Sequence, residues 1–109
     1  MPSPKVSVIM PVFNASTYLG EAIQSILNQT FTDFEFIILN DGSTDQSDQV
    51  ILSFADKRIR YAKNDRNSGV IFTLNKGIDM AQGEWIARMD GDDISDSRRF
   101  EKQLEYLNA

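Results

Sequence analysis

The chain has 109 residues, 41% of them apolar and 25% charged, a balance that suits one folded domain and argues against global disorder. With 16 acidic against 11 basic side chains the net charge is -5, the opposite of the clustered positive charge that phosphate backbones require, so no nucleic-acid partner is expected. Cysteine and histidine are both absent, which excludes disulfides, thiolate chemistry and a Ser-His-Asp triad, and leaves oxygen-held hard cations as the metals this chain can bind.

The opening residues, Met1 to Lys5, lead into an apolar run that Pro11 interrupts. It is too short for a signal peptide or for a membrane span of about 20 apolar residues, and a cytoplasmic location is expected. Lys5 to Met10 (KVSVIM) predicts a first strand ended by Pro11. Tyr18 to Gln29 predicts an amphipathic helix, because Leu19, Ala22, Ile23, Ile26 and Leu27 recur at helical spacing. Phe34 to Leu39 (FEFIIL) predicts a second strand, closed by the turn-forming Asn40-Asp41-Gly42-Ser43. Ser43 with Gln46 fits a capping box for a helix whose inward face is Val50, Ile51 and Phe54. Arg58 to Ala62 predicts a third strand, followed by a polar loop from Lys63 to Gly69. Val70 to Gln82 predicts a third helix with Val70, Leu74, Ile78 and Ala81 on one face, stopped by Gly83. Glu84 to Met89 predicts a fourth strand, then the acidic loop Asp90-Gly91-Asp92-Asp93. Ser97 to Leu107 closes as a helix with Phe100, Leu104 and Leu107 aligned.

This βαβαβαβα order predicts an α/β fold: a Rossmann-like open parallel sheet with helices on both faces, as one unit over residues 1–109. Ligands of such sheets bind outside the carboxyl ends of the strands. Three polar segments stand at those ends: Pro11-Val12-Phe13-Asn14, Asn40 to Asp45, and Asp90 to Asp93. Folding therefore gathers Asp41, Asp90, Asp92 and Asp93 toward one rim, where a cation or donor groups must offset their repulsion. In an extended backbone Asp90 and Asp92 leave the same side and Asp93 the other. Two convergent carboxylates suit Mg2+ or Mn2+. Each feature also has a plainer reading: Asp90 to Asp93 as a solvated acidic turn, Asp41-Gly42-Ser43 as a β-turn with a cap, and Phe13 as a core aromatic, the commoner role for such a residue alone. An EF-hand loop from Asp90 fails at Ile94 and Ser95, and no Walker or GxGxxG motif is present.

Taken together, Val6-Ser7-Val8-Ile9-Met10-Pro11-Val12-Phe13-Asn14, Leu39-Asn40-Asp41-Gly42-Ser43-Thr44-Asp45, Asn67-Ser68-Gly69, Asn75-Lys76-Gly77-Ile78, Ala81-Gln82-Gly83-Glu84-Trp85-Ile86 and Met89-Asp90-Gly91-Asp92-Asp93 resemble the inverting family 2 glycosyltransferases of GT-A fold, in order and spacing along almost the whole chain. The resemblance implies a nucleoside-diphosphate-sugar donor, a UDP-sugar foremost. It implies that Pro11 and Phe13 line the base and ribose pocket and that Asp41 recognises the base. Asp90 and Asp92 match the Asp-x-Asp pair that touches ribose and coordinates Mn2+ or Mg2+, with Asp92 the stronger metal candidate. Asn40 departs from the family's usual Asp. The family's acceptor site and catalytic base lie well beyond the metal motif, so no catalytic residue is assigned within residues 1–109. The resemblance thus implies a GT-A donor-binding half that holds nucleotide and metal without transferring sugar.

Two rival readings come from other classes. A Mg2+-dependent receiver-like signalling domain shares the alternation and the acidic rim, but it needs an acidic pair near the end of the first strand, where this chain has Met10-Pro11-Val12. A non-catalytic binding module makes every Asp a cap or turn residue and predicts no metal-dependent nucleotide binding. Apolar surface left where a second half packs would favour self-association.

Overall fold

A computed structural model describes residues 3–107, with side chains described through residue 105. The expectations placed on Met1, Pro2 and the Leu107 side chain lie outside the described residues. The elements run β1 (Val6–Val12), α1 (Ser16–Leu27), β2 (Phe34–Asn40), α2 (Ser47–Leu52), β3 (Ile59–Lys63), α3 (Val70–Met80), β4 (Trp85–Arg88) and α4 (Arg99–Leu107). All four strands are parallel, in the order β3-β2-β1-β4. No helix among the described residues is long and apolar enough to cross a membrane.

The sheet buries both faces. Val6, Val8, Met10, Val12, Phe36 and Ile38 turn to one side, covered by α1 through Leu19, Ile23 and Ile26, by Ile51 of α2 and by Phe100 and Leu104 of α4. Ile9, Ile37 and Leu39 turn to the other, under Leu74 and Met80 of α3. The two central strands therefore read as nearly continuous apolar runs, interrupted within them by Ser7 and Glu35, as strands covered on both faces do. The open α/β sheet with helices on both faces is the expected architecture.

Three local expectations give way. The first concerns α3. Its predicted inward face included Val70 and Ile78, yet each is 48% exposed, and Thr73 and Gly77 are the buried positions. A Cβ on Gly77 would stand 2.7 Å from Ile9 Cγ2 and 2.8 Å from Leu39 Cδ1. The helix lies so close to the sheet that only small side chains fit between them.

The second concerns β1, which runs through Pro11 to Val12. The Ile9 carbonyl accepts the Met89 N–H at 2.9 Å and the Val12 carbonyl accepts the Asp41 N–H at 2.7 Å. Pro11 shares the lateral direction of Ile9, so its missing donor faces the β4 side. There β4 pairs with β1 only from Val6 to Ile9, and no ladder bond is lost.

The third is the capping box. α2 begins at Ser47, and Ser43 instead accepts the Asn14 N–H through its hydroxyl at 3.0 Å. Asp45 takes the Ser47 N–H at 2.9 Å and, from outside the helix, the Ser16 N–H at the start of α1 at 3.2 Å. One carboxylate thus serves the amino ends of two helices, an arrangement favoured by their exposed N–H groups.

Candidate functional site

The carboxyl ends of the strands carry Phe13 after β1, Asp41 after β2, Asn64 after β3 and Asp90 beyond β4. Chain direction across the sheet reverses at β1, whose sequence neighbour β2 lies on one flank while β4 lies on the other. A crevice opens at such a reversal because the following loops diverge. Here it is a cleft of about 300 Å3, lined among others by Pro11, Phe13, Asp41, Gly69, Thr73 and Asp90. A second hollow of about 420 Å3 adjoins it, lined by Pro11, Phe13, Tyr18, Gly91 and Asp92 among others. Pro11 and Phe13 are common to both, so Phe13 stands as a ridge between them. At 47% exposure its ring is not a core aromatic. A larger hollow of about 530 Å3 lies between β4 and α4 and includes Trp85, Ile86, Phe100 and Leu104. It contains none of the candidate nucleotide- or metal-binding residues.

Asp41 is 4% exposed and is held by three donors. Oδ1 accepts from Asn64 Nδ2 and from the Ser68 N–H, each at 2.8 Å, and Oδ2 accepts from the Gly69 N–H at 3.0 Å. Burial pushes the carboxyl up, and the hydrogen bonds from Asn64, Ser68 and Gly69 outweigh it, holding the group below its ordinary range. The loop before α3 comes within reach because Gly42 allows it: at φ +70° a Cβ there would lie 2.5 Å from the backbone of Arg66 and Asn67.

Beyond β4 the backbone does not stay extended. The Asp93 N–H donates to the Asp90 carbonyl at 3.1 Å, closing a turn around Gly91 and Asp92. All three carboxylates, Asp93 included, consequently offer oxygens within 4.8 Å of one another, in place of the two-and-one division of an extended strand. Oxygen-only ligands at this spacing fit Mg2+ or Mn2+. Arg88 reaches Asp90 Oδ1 at 3.3 Å, but with both side chains half exposed the pair contributes only about 0–1 kcal/mol and yields readily to a ligand.

The β1–α1 loop is laced to the β2–α2 loop through Asn14. At φ 49° its Oδ1 accepts the Thr44 N–H at 2.8 Å and the Asp45 N–H at 3.3 Å. This fixes the ridge carrying Phe13 relative to Asp41. The structure thus brings Pro11, Phe13, Asp41 and Asp90 to one cleft and sets Asp92 in the adjoining hollow. Sequence reasoning passed over Asn64 and Thr73. Their only signal was place: Asn64 directly follows β3, at the same rim as Asp41 and Asp90.

Residues 7–109 match the family model described as glycosyl transferase family 2. Among curated proteins, an uncharacterized glycosyltransferase of Haemophilus influenzae is 39% identical over 109 residues, which cover 98% of this chain and 44% of that protein. A second from the same organism is 44% identical over 106 residues, covering 95% and 33%. The chain spans less than half the length of these relatives. Among solved structures, S. aureus TarS in complex with UDP-GlcNAc aligns with a TM-score of 0.90 at 28% identity, over 95% of this chain and 31% of that one. The mannosyltransferase PcManGT from Pyrobaculum calidifontis, in complex with GDP-Man and Mn2+, aligns with a TM-score of 0.89 at 20% identity, over 100% and 34%, a likeness of fold.

Proposed function

The chain belongs to glycosyl transferase family 2, and on that premise we propose that residues 1–109 form the donor-binding part of an enzyme that transfers a sugar from a nucleoside diphosphate, with a UDP-sugar as donor. The observation that carries this reading is the convergence of Pro11, Phe13, Asp41 and Asp90 on one cleft. That TarS is solved in complex with UDP-GlcNAc supports the choice of base.

In this reading the exposed Phe13 ring gives the base a stacking surface and Pro11 closes the wall behind it. Asp41 accepts a ring N–H from the base. Asp90 exchanges Arg88 for the ribose, and Asp92, with Asp90, supplies the carboxylates that would hold Mn2+ or Mg2+. A divalent ion there would supply positive charge against the departing diphosphate. Transfer is inverting: the acceptor oxygen bonds to the anomeric carbon as the bond to diphosphate breaks, and the acceptor proton passes to a base. We assign that base and the acceptor site to parts of the longer relatives that this chain does not span. We therefore expect the chain to bind nucleotide and metal without transferring sugar.

Titrating UDP into the chain with and without Mn2+, beside Asp92→Asn, tests the proposal. Metal-dependent binding that the substitution removes is expected. Binding indifferent to both the metal and the substitution would remove the acidic loop from the site. Sugar transfer by this chain alone to any of a broad acceptor panel would refute its inactivity.

We further infer self-association through apolar surface at the β4 edge, where Ile86 is 51% exposed, and along α3, where Ile71 is 75% and Phe72 is 56% exposed. Sedimentation as a monomer at every concentration would overturn it.

A further inference from the structure

Asp41 does not meet a ligand with an open carboxylate. A carboxylate oxygen has room for two donors, and Oδ1 already has both, from Asn64 and from the Ser68 N–H. Oδ2 has one, from the Gly69 N–H, which leaves a single acceptor position. Asn64 is itself held in one orientation. Its Oδ1 accepts from Lys76 Nζ at 3.0 Å, and its Nδ2 also donates to Thr73 Oγ1 at 3.1 Å. Lysine only donates, so the amide must turn its oxygen to Lys76 and its NH2 to Asp41. Thr73 does not reverse this: its hydroxyl reaches the Gly69 carbonyl at 2.9 Å and also faces Asp41, and a proton given to either leaves a lone pair for the Asn64 amide.

We infer that Asn64, oriented by Lys76, is a positioning residue that sets base specificity by filling the second acceptor site of Asp41 Oδ1. The inference rests on the donor-site reading of the cleft and deepens it. One remaining acceptor position on an anionic, largely buried oxygen selects a base that presents a donor at its ring nitrogen, as uracil does at N3. Cytosine offers a lone pair at that atom and has its donor on the exocyclic amine instead. With Oδ1 filled, the carboxylate has no second acceptor position with which to follow that displaced donor. A buried acceptor facing a lone pair discriminates strongly, because neither group finds a partner.

The test measures dissociation constants for UDP and CDP, with Mn2+ present, on the wild-type chain, Asn64→Ala and Lys76→Met, with circular dichroism confirming that each is folded. The wild type is expected to prefer UDP by about 100-fold. Asn64→Ala frees Oδ1 and narrows that ratio by about tenfold, chiefly by admitting CDP. Lys76→Met removes one of the three contacts that fix the amide, leaving it held by Asp41 and Thr73, and narrows the ratio by less than Asn64→Ala does. A merely structural role would weaken both nucleotides by the same factor and leave the ratio untouched. That result in both variants overturns the inference while the donor site stands. A wild-type chain that binds neither nucleotide overturns the donor-site reading itself. Should Asn64→Ala fail to fold, Asn64→Ser, which keeps a polar group on the loop but is too short to fill Asp41 Oδ1, decides the matter by the same ratio.

Discussion

Gln29 and Phe100 lie 71 positions apart in the chain, yet the Gln29 side-chain carbonyl accepts the Phe100 backbone N–H at 3.1 Å. The same amide donates to the Asp96 carbonyl at 2.6 Å and to the Ser25 carbonyl at 3.2 Å. One 3%-exposed side chain thus joins the end of α1 to the segment that returns from the acidic loop and to the start of α4. Gln29→Ala leaves the buried Phe100 N–H unpaired, at about 1–3 kcal/mol, and removes the donor shared by the part-buried Asp96 and Ser25 carbonyls. The expected loss is about 2–4 kcal/mol, read from urea denaturation. Unchanged stability would mean that water replaces the amide without cost.

Gly77→Ala sets two effects against each other. Alanine favours a helix interior by about 1 kcal/mol over glycine. Against it stands a Cβ 2.7 Å from Ile9 Cγ2 and 2.8 Å from Leu39 Cδ1, both in side chains with no room to retreat. Overpacking costs about 1–3 kcal/mol, so net destabilisation is expected, with α3 displaced from the sheet. A higher melting temperature for the alanine variant would show that α3 rides further out than these distances state.

The amide at position 40 is required by its neighbours. Asn40 Nδ2 donates to the Tyr61 hydroxyl at 3.0 Å, that hydroxyl donates to Asp48 at 2.6 Å, and Asn40 Oδ1 accepts the Ser43 N–H at 3.0 Å. Burial, then the contact with Asp48, pushes the tyrosine up to about 12, so the phenol keeps its single proton and spends it on Asp48. An aspartate at 40 would face that oxygen without a proton to give. Asn40→Asp is expected to cost about 1–3 kcal/mol at neutral pH, and Tyr61→Phe should remove most of that penalty in a double-mutant cycle.

Asp45 carries a pH dependence of definite sign. Hydrogen bonds from Ser47, partly opposed by desolvation, and then from Ser16 hold its pKa at about 2, against 3.8 when free. The depressed value means that the charged form is favoured by folding. Its contribution is complete above about pH 4 and is lost as pH falls through about 2. The melting-temperature gap between wild type and Asp45→Asn should therefore be full at pH 7 and shrink below pH 4. A gap that widens on acidification would contradict the assignment.

The parallel sheet was legible in sequence because strands buried on both faces announce themselves. Val6 to Met10 and Phe34 to Leu39 have nowhere to place a polar residue except Ser7 and Glu35, and those bond to each other at 2.6 Å. The inward face of α3 was half legible: Leu74 and Ala81 pack on the sheet side as their spacing predicts, whereas Thr73 and Gly77 were missed because closeness to the sheet selects small residues that add nothing to an apolar pattern. Pro11 misled for a related reason: whether proline ends a strand depends on which flank still has a partner, and that is a property of the assembled sheet. At the rim, acidic residues following strands stood out, but Asn64 in a polar loop looked like any other loop asparagine. Its partners come from β2 and α3, so only the folded chain gives it a role.

The absent N–H of Pro11 has a lasting consequence. A fourth strand that continued alongside β1 past Met89, whose N–H still bonds the Ile9 carbonyl, would find no donor at Pro11. That rung is withheld by a covalent ring, so neither warming nor solvent can restore it. Closing the gap beside Phe13 would therefore gain no ladder bond at Pro11, which favours an opening already present when a molecule arrives over a seam that must first be pried apart.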